Sequence, residues 1–180
     1  MKSRYVRSAA VVAALIVSVA ASAVQAQVTK ESIPGIVNFA HVETTIACAG
    51  ATTPAALAEV KKMGYASVIN LRVGTEPGAD IEASAAAAKA AGLNFIHLPF
   101  NAASPDPMLV DHFLEAVTAK NNQPAFIHCA SANRAATLWL VKRLVVDKWD
   151  VDRASTEAAA LGLTNPALKK FALDQAQTRK

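Results

Sequence analysis

Short hydrophobic runs alternate along this chain with longer segments in which apolar residues recur every three or four positions. Runs of this first kind, which predict buried strands, lie at residues 36–42, 45–48, 66–71, 94–98 and 125–128. The longer segments predict amphipathic helices, because several open at a capping residue or a proline and end at a glycine. They cover residues 53–64, 80–91, about 107–120, 133–148, 152–161 and 166–176.

The order of these elements indicates the fold class. Strands that alternate with helices are typical of an α/β domain, in which helices cover both faces of a parallel sheet. The segment 133–148 is apolar nearly all round, so we expect this helix to be buried against the sheet. The pattern therefore predicts three layers, with a mostly parallel central sheet flanked by helices.

The first 26 residues follow a different pattern. Lys2, Arg4 and Arg7 precede an apolar run, and small residues surround position 26, as in a cleaved secretory signal peptide. We predict a signal peptide over 1–26, a single domain over 27–180 and a periplasmic or secreted location. An uncleaved N-terminal anchor is the alternative, whereas cleavage would leave no stable membrane anchor.

Cleavage would also lower the net charge of the protein that remains. The whole chain carries +4, and the three basic residues of the signal segment account for most of it, since +4 − 3 leaves +1. The basic character of the full sequence is thus no argument for a nucleic-acid partner, and we expect none. The remaining 154 residues (180 − 26) are enough for one compact domain.

The candidate chemistry lies where the last predicted strand ends and a helix begins, in the segment 128–134, His-Cys-Ala-Ser-Ala-Asn-Arg. Backbone N–H groups of such a turn, together with the helix N-terminus, favour a bound anion. The same field favours the thiolate of Cys129, and Arg134 can hold an oxyanion with two hydrogen bonds. A buried cysteine beside a surface arginine is the simpler alternative.

Several segments resemble a known family when they are taken in order. Before the Cys129–Arg134 loop come Ala-Gly at 49–50, Val-Ile-Asn-Leu-Arg at 68–72 and His-Leu-Pro at 97–99. The loop is similar to that of cysteine-dependent protein tyrosine and dual-specificity phosphatases. The whole order, from about residue 37 to 163, more closely resembles the bacterial beta-lactamase hydrolase-like phosphatase domain.

The resemblance implies hydrolysis of phosphomonoesters through a phosphocysteine, with no metal or cofactor. Cys129 would be the nucleophile, and Arg134 with the loop residues Ala130, Ser131, Ala132 and Asn133 would bind the phosphate. The substrate would be a phosphorylated small molecule or a phosphoprotein.

Other residues receive supporting roles, of which only that of the general acid comes from the resemblance. Asp106 would be the general acid, with Asp111 as a second candidate, although Asp106 before Pro107 is also the pattern of a helix N-cap. We expect His128 to hold the loop through ring hydrogen bonds and Arg72 to rim the pocket or to face solvent.

Three features of the loop depart from the family pattern. Only four residues separate Cys129 from Arg134, the spacing of rhodanese sulfurtransferases; Ala132 stands where glycine is usual; and Ala135 replaces a hydroxyl residue. Two alternative functions therefore stay open. One is a sulfurtransferase that uses a Cys129 persulfide, and the other is a catalytically weak protein that binds oxyanions.

The second cysteine allows two interpretations. Cys48 follows an early strand, so it is either a buried core residue or a redox partner that forms a reversible disulfide with Cys129. The histidines at 41, 97 and 112 show no ligand spacing, and no metal site is predicted.

Overall fold

The computed structural model describes residues 28–42 and 44–179, so the predicted signal peptide lies outside the described residues. The strands are β1 (Val28–Ile33), β2 (Ile36–Val42), β3 (Ile46–Ala49), β4 (Ser67–Asn70), β5 (Asn94–His97) and β6 (Ala125–His128). The helices are α1 (Leu57–Lys62), α2 (Ile81–Ala91), α3 (Pro107–Thr118), α4 (Asn133–Val145), α5 (Val151–Ala160) and α6 (Pro166–Thr178). Single 3₁₀ turns precede α1 and follow α3.

The six strands form one sheet in the order β1-β2-β3-β6-β4-β5. Strands β3, β6, β4 and β5 run parallel, whereas β1 and β2 add an antiparallel edge. The prediction of a mostly parallel sheet is confirmed. Strand β1 was not predicted, because its middle residues are polar and exposed at the edge of the sheet.

Helices cover both faces of the sheet, which confirms the three-layer arrangement. On one face, Ile69, Ile127 and Leu71 pack with apolar residues of α3 to α6. On the other, Val68 and Phe126 pack with α1 and α2. Adjacent residues of one strand belong to different cores because strand side chains alternate between the faces.

Helix ends follow the local sequence signals. The Asp80 side chain accepts a hydrogen bond from the Ala83 N–H at the start of α2, and Gly92 ends that helix with φ +72°. Helix α4 is buried along most of its length, as predicted. In the described part of the chain, no helix combines the length and apolarity needed to cross a bilayer.

Candidate active site

Cys129 follows β6, the strand between β3 and β4, and so lies at the centre of the sheet's carboxyl edge. Its N–H donates to the Ala49 carbonyl (3.1 Å), and the next carbonyl, of Ala130, accepts from the Ala51 N–H (2.9 Å). These bonds fasten the start of the loop to the chain just beyond β3. Cys129 is wholly buried.

The loop turns into α4 through a left-handed residue. Ala132, with φ +75°, is the N-cap of α4 and is fully buried. The conformation that glycine supplies most easily is therefore adopted by an alanine, at a conformational cost of about 1–2 kcal/mol. A Cβ at Gly162 would lie 3.0 Å from the Ala132 Cβ, so Gly162 leaves room for this methyl group.

Asn133 connects the loop to the start of α6. Its Oδ1 accepts hydrogen bonds from the N–H groups of Thr164 (2.8 Å) and Asn165 (2.9 Å). Its Nδ2 lies 3.5 Å from the Ser131 hydroxyl. The Asn133 side chain, which was predicted to bind phosphate, thus connects the loop with the segment that leads into α6.

The Arg134 guanidinium is held along one edge. Its Nη1 donates to the carbonyls of Leu71 (3.2 Å) and Phe100 (2.7 Å), and Nη1 and Nη2 bind both oxygens of Glu76 at 2.5 and 2.8 Å. The Arg134 side chain also makes a hydrogen bond with Cys129. The guanidinium is therefore held between the Glu76 carboxylate and the sulfur, where its planar fork can also bind an oxyanion.

Glu76 was not singled out from the sequence. It also accepts hydrogen bonds from Arg72 Nε (3.1 Å) and the Val73 N–H (2.9 Å). Burial opposes ionisation, but the hydrogen bonds from Arg134 and Val73, with the charge of Arg134, lower the pKa of Glu76 to about 2. The sequence places Glu76 between two glycines in the turn just after β4, at the same edge of the sheet as Cys129. This position is the signal that could have identified it.

Arg72 does not take either predicted position. It is 6% exposed, and its guanidinium binds Glu76 and the carbonyls of Pro77 (2.6 Å) and Gly78 (3.1 Å). The prediction that it rims the pocket or faces solvent is wrong, because the turn after β4 folds back over it. Arg72 contacts the carboxylate that holds Arg134, and its own carbonyl accepts from His97 Nε2 at 2.8 Å.

A cleft of about 490 Å³ opens beside this network. Its walls come from the turn after β4, the loop after β5, the Cys129–Arg134 loop and the start of α6; among the lining residues are Glu76, Asn101, Ser131, Arg134 and Asn165. Although burial opposes it, the hydrogen bond that Arg134 donates to Glu76 and the charge of Cys129 raise the pKa of Arg134 above its ordinary value. The sulfur and the guanidinium therefore interact behind the cleft wall.

The two predicted acids lie elsewhere. Asp106 is exposed, and its carboxylate accepts from the Met108 N–H (2.9 Å) as the N-cap of α3. Asp111 forms an ion pair with Arg179 at 2.7 and 3.0 Å, and this bond lowers its pKa. Neither carboxylate lines the cleft beside Arg134.

The prediction that His128 holds the loop by ring hydrogen bonds stays a prediction. Neither ring nitrogen has a hydrogen bond of ordinary geometry in the described structure, although the backbone of Cys129 and Gly50 interacts with the ring, which stacks on Phe126 with centroids 5.7 Å apart. Burial, followed by the charge of Arg72, lowers the pKa of His128 to about 3, and the backbone of Cys129 and Gly50 offsets only part of this shift. Position 128 thus carries a neutral, packed ring.

Cys48 is buried in β3, where its register partner is Ile127 and not Cys129. Strand spacings place its Cα roughly 8 Å from that of Cys129, beyond the reach of a disulfide without backbone movement. The geometry favours the interpretation as a core cysteine. Burial, and then the charge of Cys129, raises the pKa of Cys48.

The described residues contain no group of three or more histidine, cysteine, aspartate or glutamate side chains placed to hold a metal ion. The polar atoms that face the cleft are amides, hydroxyls, the Arg134 guanidinium and the Glu76 carboxylate.

Comparisons with known proteins agree with this architecture. Residues 38–145 match the model of the beta-lactamase hydrolase-like protein, phosphatase-like domain. No curated protein matches the chain. P. aeruginosa TpbA is 19% identical, with a TM-score of 0.63 over 84% of this chain and 89% of that one.

Two further solved structures are similar. The core catalytic domain of the PP-IP phosphatase SIW14 from S. cerevisiae has 18% identity and a TM-score of 0.66, over 82% of this chain and 93% of that one. A phosphatase candidate from Shewanella putrefaciens has 16% identity and a TM-score of 0.66, over 81% and 95%. At these identities the shared property is the fold.

Proposed function

The chain belongs to the family of the beta-lactamase hydrolase-like protein, phosphatase-like domain, and from this premise we propose that it is an exported cysteine-dependent phosphatase. It acts on phosphomonoesters and related phosphoryl compounds. The observation that carries the proposal is the Arg134 guanidinium, which is fixed by Glu76 and interacts with Cys129 through a hydrogen bond and through charge.

The proposed reaction has two steps. The Cys129 thiolate attacks phosphorus, and the P–O bond to the leaving group breaks. The N–H groups of residues 130–134 and the open edge of Arg134 stabilise the charge on the phosphoryl oxygens. Water then cleaves the S–P bond, which releases phosphate and restores the thiolate.

Two relatives support a phosphorylated substrate. A TpbA variant was crystallised in complex with pTyr, and SIW14 is described as a PP-IP phosphatase. Both observations concern those proteins, and for this chain they favour a phosphoryl ligand in the cleft beside Arg134.

The test uses residues 27–180 under reducing conditions with a panel of aryl phosphates. We expect phosphate release that Cys129→Ser abolishes, and an intact mass increased by one phosphoryl group after acid quenching of the wild type. Cys48→Ser is the matched control, because Cys48 is buried within β3 opposite Ile127 and not in the Cys129–Arg134 loop, and it should retain turnover per folded molecule. Phosphate release that survives Cys129→Ser would contradict the mechanism.

Export is a separate part of the proposal. It rests on the charge and hydropathy pattern of residues 1–26. Expression of the full chain, followed by fractionation and N-terminal sequencing, should give a periplasmic or secreted product that begins at Gln27. A product that keeps Met1 would refute cleavage.

The four-residue gap between Cys129 and Arg134 favours a second candidate, a sulfurtransferase. A tighter loop suits a persulfide better than a phosphate. Thiocyanate formation from thiosulfate and cyanide, lost in Cys129→Ser, would identify it. Retained oxyanion binding without either activity would instead identify the weak binding protein, which the strained Ala132 favours.

A further inference from the structure

Left-handed backbone in this protein gathers around the Cys129–Arg134 loop. Within the part of the chain that the structure describes, three residues other than glycine have a positive φ: Asn38 (+50°), Ala132 (+75°) and Lys148 (+55°). Ala132 belongs to the loop, and Asn38 contacts the loop from β2. Such conformations gather at functional sites, and the contact with the loop therefore indicates a role for Asn38 there.

The Asn38 side chain reaches the loop through one hydrogen bond. Its Nδ2 donates to the Ser131 carbonyl at 3.4 Å, which is long for such a bond. Because a carbonyl can only accept, the amide presents its nitrogen and not its oxygen to the loop. Both residues are exposed, and they line a second cleft of about 600 Å³. The Asn38 amide can therefore be removed without leaving a cavity in the core.

The preceding carbonyl of the loop, that of Ala130, is held by the same region of the fold. It accepts from the Ala51 N–H at 2.9 Å, and the Gly50 N–H donates to the Val37 carbonyl at 2.6 Å. A Cβ at Gly50 would lie 2.9 Å from the Ala130 oxygen and 3.0 Å from the Val37 oxygen. Since the φ of Gly50 is not positive, glycine is needed here for space, because it lets the chain beyond β3 fit between β2 and the loop.

Two successive carbonyls of the loop are thus bound by groups that come from β2 and from the chain beyond β3. In a trans peptide unit the C=O and the N–H point in opposite directions. A unit whose carbonyl is held toward β2 and β3 therefore turns its N–H to the other side of the loop. The two units contribute the N–H groups of Ser131 and Ala132, which the proposed reaction uses to bind phosphoryl oxygens.

We propose that Asn38 is a positioning residue of the Cys129–Arg134 loop: its amide holds the Ser131 carbonyl and thereby orients the Ala132 N–H for binding a tetrahedral oxyanion. This inference rests on the proposed phosphatase function and adds to it a residue from outside the loop. Donors that are oriented in advance need no rearrangement when charge develops on the phosphoryl oxygens. Without the Asn38 amide the peptide unit is free to rotate, so oxyanion affinity and turnover should fall together.

The first experiment removes the amide with and without backbone strain. Asn38→Gly deletes the side chain and keeps a residue that adopts a positive φ readily, whereas Asn38→Ala deletes it and leaves a strained residue. We expect both variants to lower kcat/KM for 4-nitrophenyl phosphate by about 3–10-fold per folded molecule, although Asn38→Ala should be the less stable of the two in urea. Normal turnover in Asn38→Gly would overturn the inference, and so would losses of turnover that follow stability.

Lys148→Gly is the matched control for the backbone. Lys148 has nearly the same φ as Asn38, is exposed and follows α4, and it lines neither of the two clefts that Ser131 lines. We expect this variant to keep the kcat/KM of the wild type. A loss equal to that of Asn38→Gly would show that the effect comes from the backbone change and not from the amide.

A binding measurement separates failure of this inference from failure of the proposed function. If the wild type does not turn over 4-nitrophenyl phosphate, the phosphatase proposal fails, but calorimetry with inorganic tungstate on Cys129→Ser still tests the loop. Adding Asn38→Gly to that variant should weaken tungstate binding by about 3–10-fold, whereas adding Lys148→Gly should leave it unchanged. Equal affinities with and without the Asn38 amide, or no tungstate binding at all, would reject the role of Asn38.

Discussion

Helix α4 carries a bidentate arginine near each end, and the two arginines have opposite surroundings. Near its start, Arg134 binds Glu76, makes a hydrogen bond with Cys129 and lines a cleft. Near its end, Arg143 binds Glu157 through Nε (2.7 Å) and Nη2 (3.1 Å) and binds Asp147 through Nη1 (2.9 Å). The faces of its guanidinium meet the rings of Trp139 and Trp149 at 4.6 and 3.9 Å.

The difference shows what separates a functional from a structural ion pair. Glu157 is almost fully buried and also accepts from Trp139 Nε1 (2.7 Å), so the pair at Arg143 has no room for a ligand. The pair at Arg134 instead lies beside a cleft and next to the buried sulfur of Cys129. Burial and pairing alone therefore do not identify a site; the neighbouring cleft and sulfur do.

The largest effect on stability should come from the ion pair between Arg143 and Glu157, near the end of α4. Glu157→Gln leaves Arg143 and its neighbours with an uncompensated buried charge, and we expect a loss of about 3–5 kcal/mol in the free energy of unfolding. Phosphatase activity per folded molecule should stay within about twofold, since the pair lies outside the cleft. Chemical denaturation and turnover corrected for folded fraction measure both. A large loss of specific activity would show that the Arg143–Glu157 pair is coupled to the site around Arg134.

Substitution of Arg134, near the start of α4, should instead lower catalytic activity. Arg134→Lys removes the planar fork, and we expect kcat/KM for aryl phosphates to fall by about 10²–10³-fold. Arg143→Lys is the matched control on the same helix and should lower stability while kcat/KM per folded molecule is retained. If both variants lose activity equally, the distinction between the two ends is wrong.

The Glu76 carboxylate, which binds Arg134, should contribute stability that depends on pH. The pKa of Glu76 is lowered to about 2, so the folded state binds fewer protons there than the unfolded state, whose glutamate titrates near 4.3. Its stabilisation is present above that value and is lost as pH falls toward 2. We expect Glu76→Gln to cost about 2–3 kcal/mol at pH 7.

Urea denaturation at pH 7 and at pH 4 or below measures this dependence. The difference between wild type and Glu76→Gln should shrink as pH falls. A difference that stays constant with pH would show that the Glu76 charge is not what holds Arg134.

The smallest effect concerns the residue that starts α4. Ala132 and Ala136 are both fully buried, but only Ala132 has a positive φ. Ala136→Gly should destabilise the protein, whereas Ala132→Gly also removes backbone strain, so the two variants should differ by about 1–2 kcal/mol in favour of Ala132→Gly. Thermal unfolding of both variants measures the difference. Equal losses would mean that Ala132 is not strained.

Local signals predicted most of the fold. Asp80, Gly92 and the Asp106–Pro107 pair mark helix ends that the structure confirms, because capping depends on a few adjacent residues. Strand β1 was missed, since its pairing with β2 depends on a partner and its own sequence is polar.

The site was less predictable than the fold. The Cys129–Arg134 loop is local and was found from the sequence. Glu76 lies 58 positions from Arg134, and nothing in the spacing of the chain indicated that pair. The prediction for Arg72 was wrong for the same reason: it depended on which neighbours would enclose the side chain.

The contact between Ala132 and Gly162 bears on the order in which this loop can change over evolutionary time. A Cβ at position 162 would meet the Ala132 methyl group at 3.0 Å, which is tighter than ordinary van der Waals contact, so a larger residue at 162 is accommodated more easily once position 132 has lost its methyl group. In the same way, the alanine at 132 is accommodated more easily while position 162 is a glycine. Each residue thus disfavours change at the other, and this can preserve a strained loop long after the event that produced it.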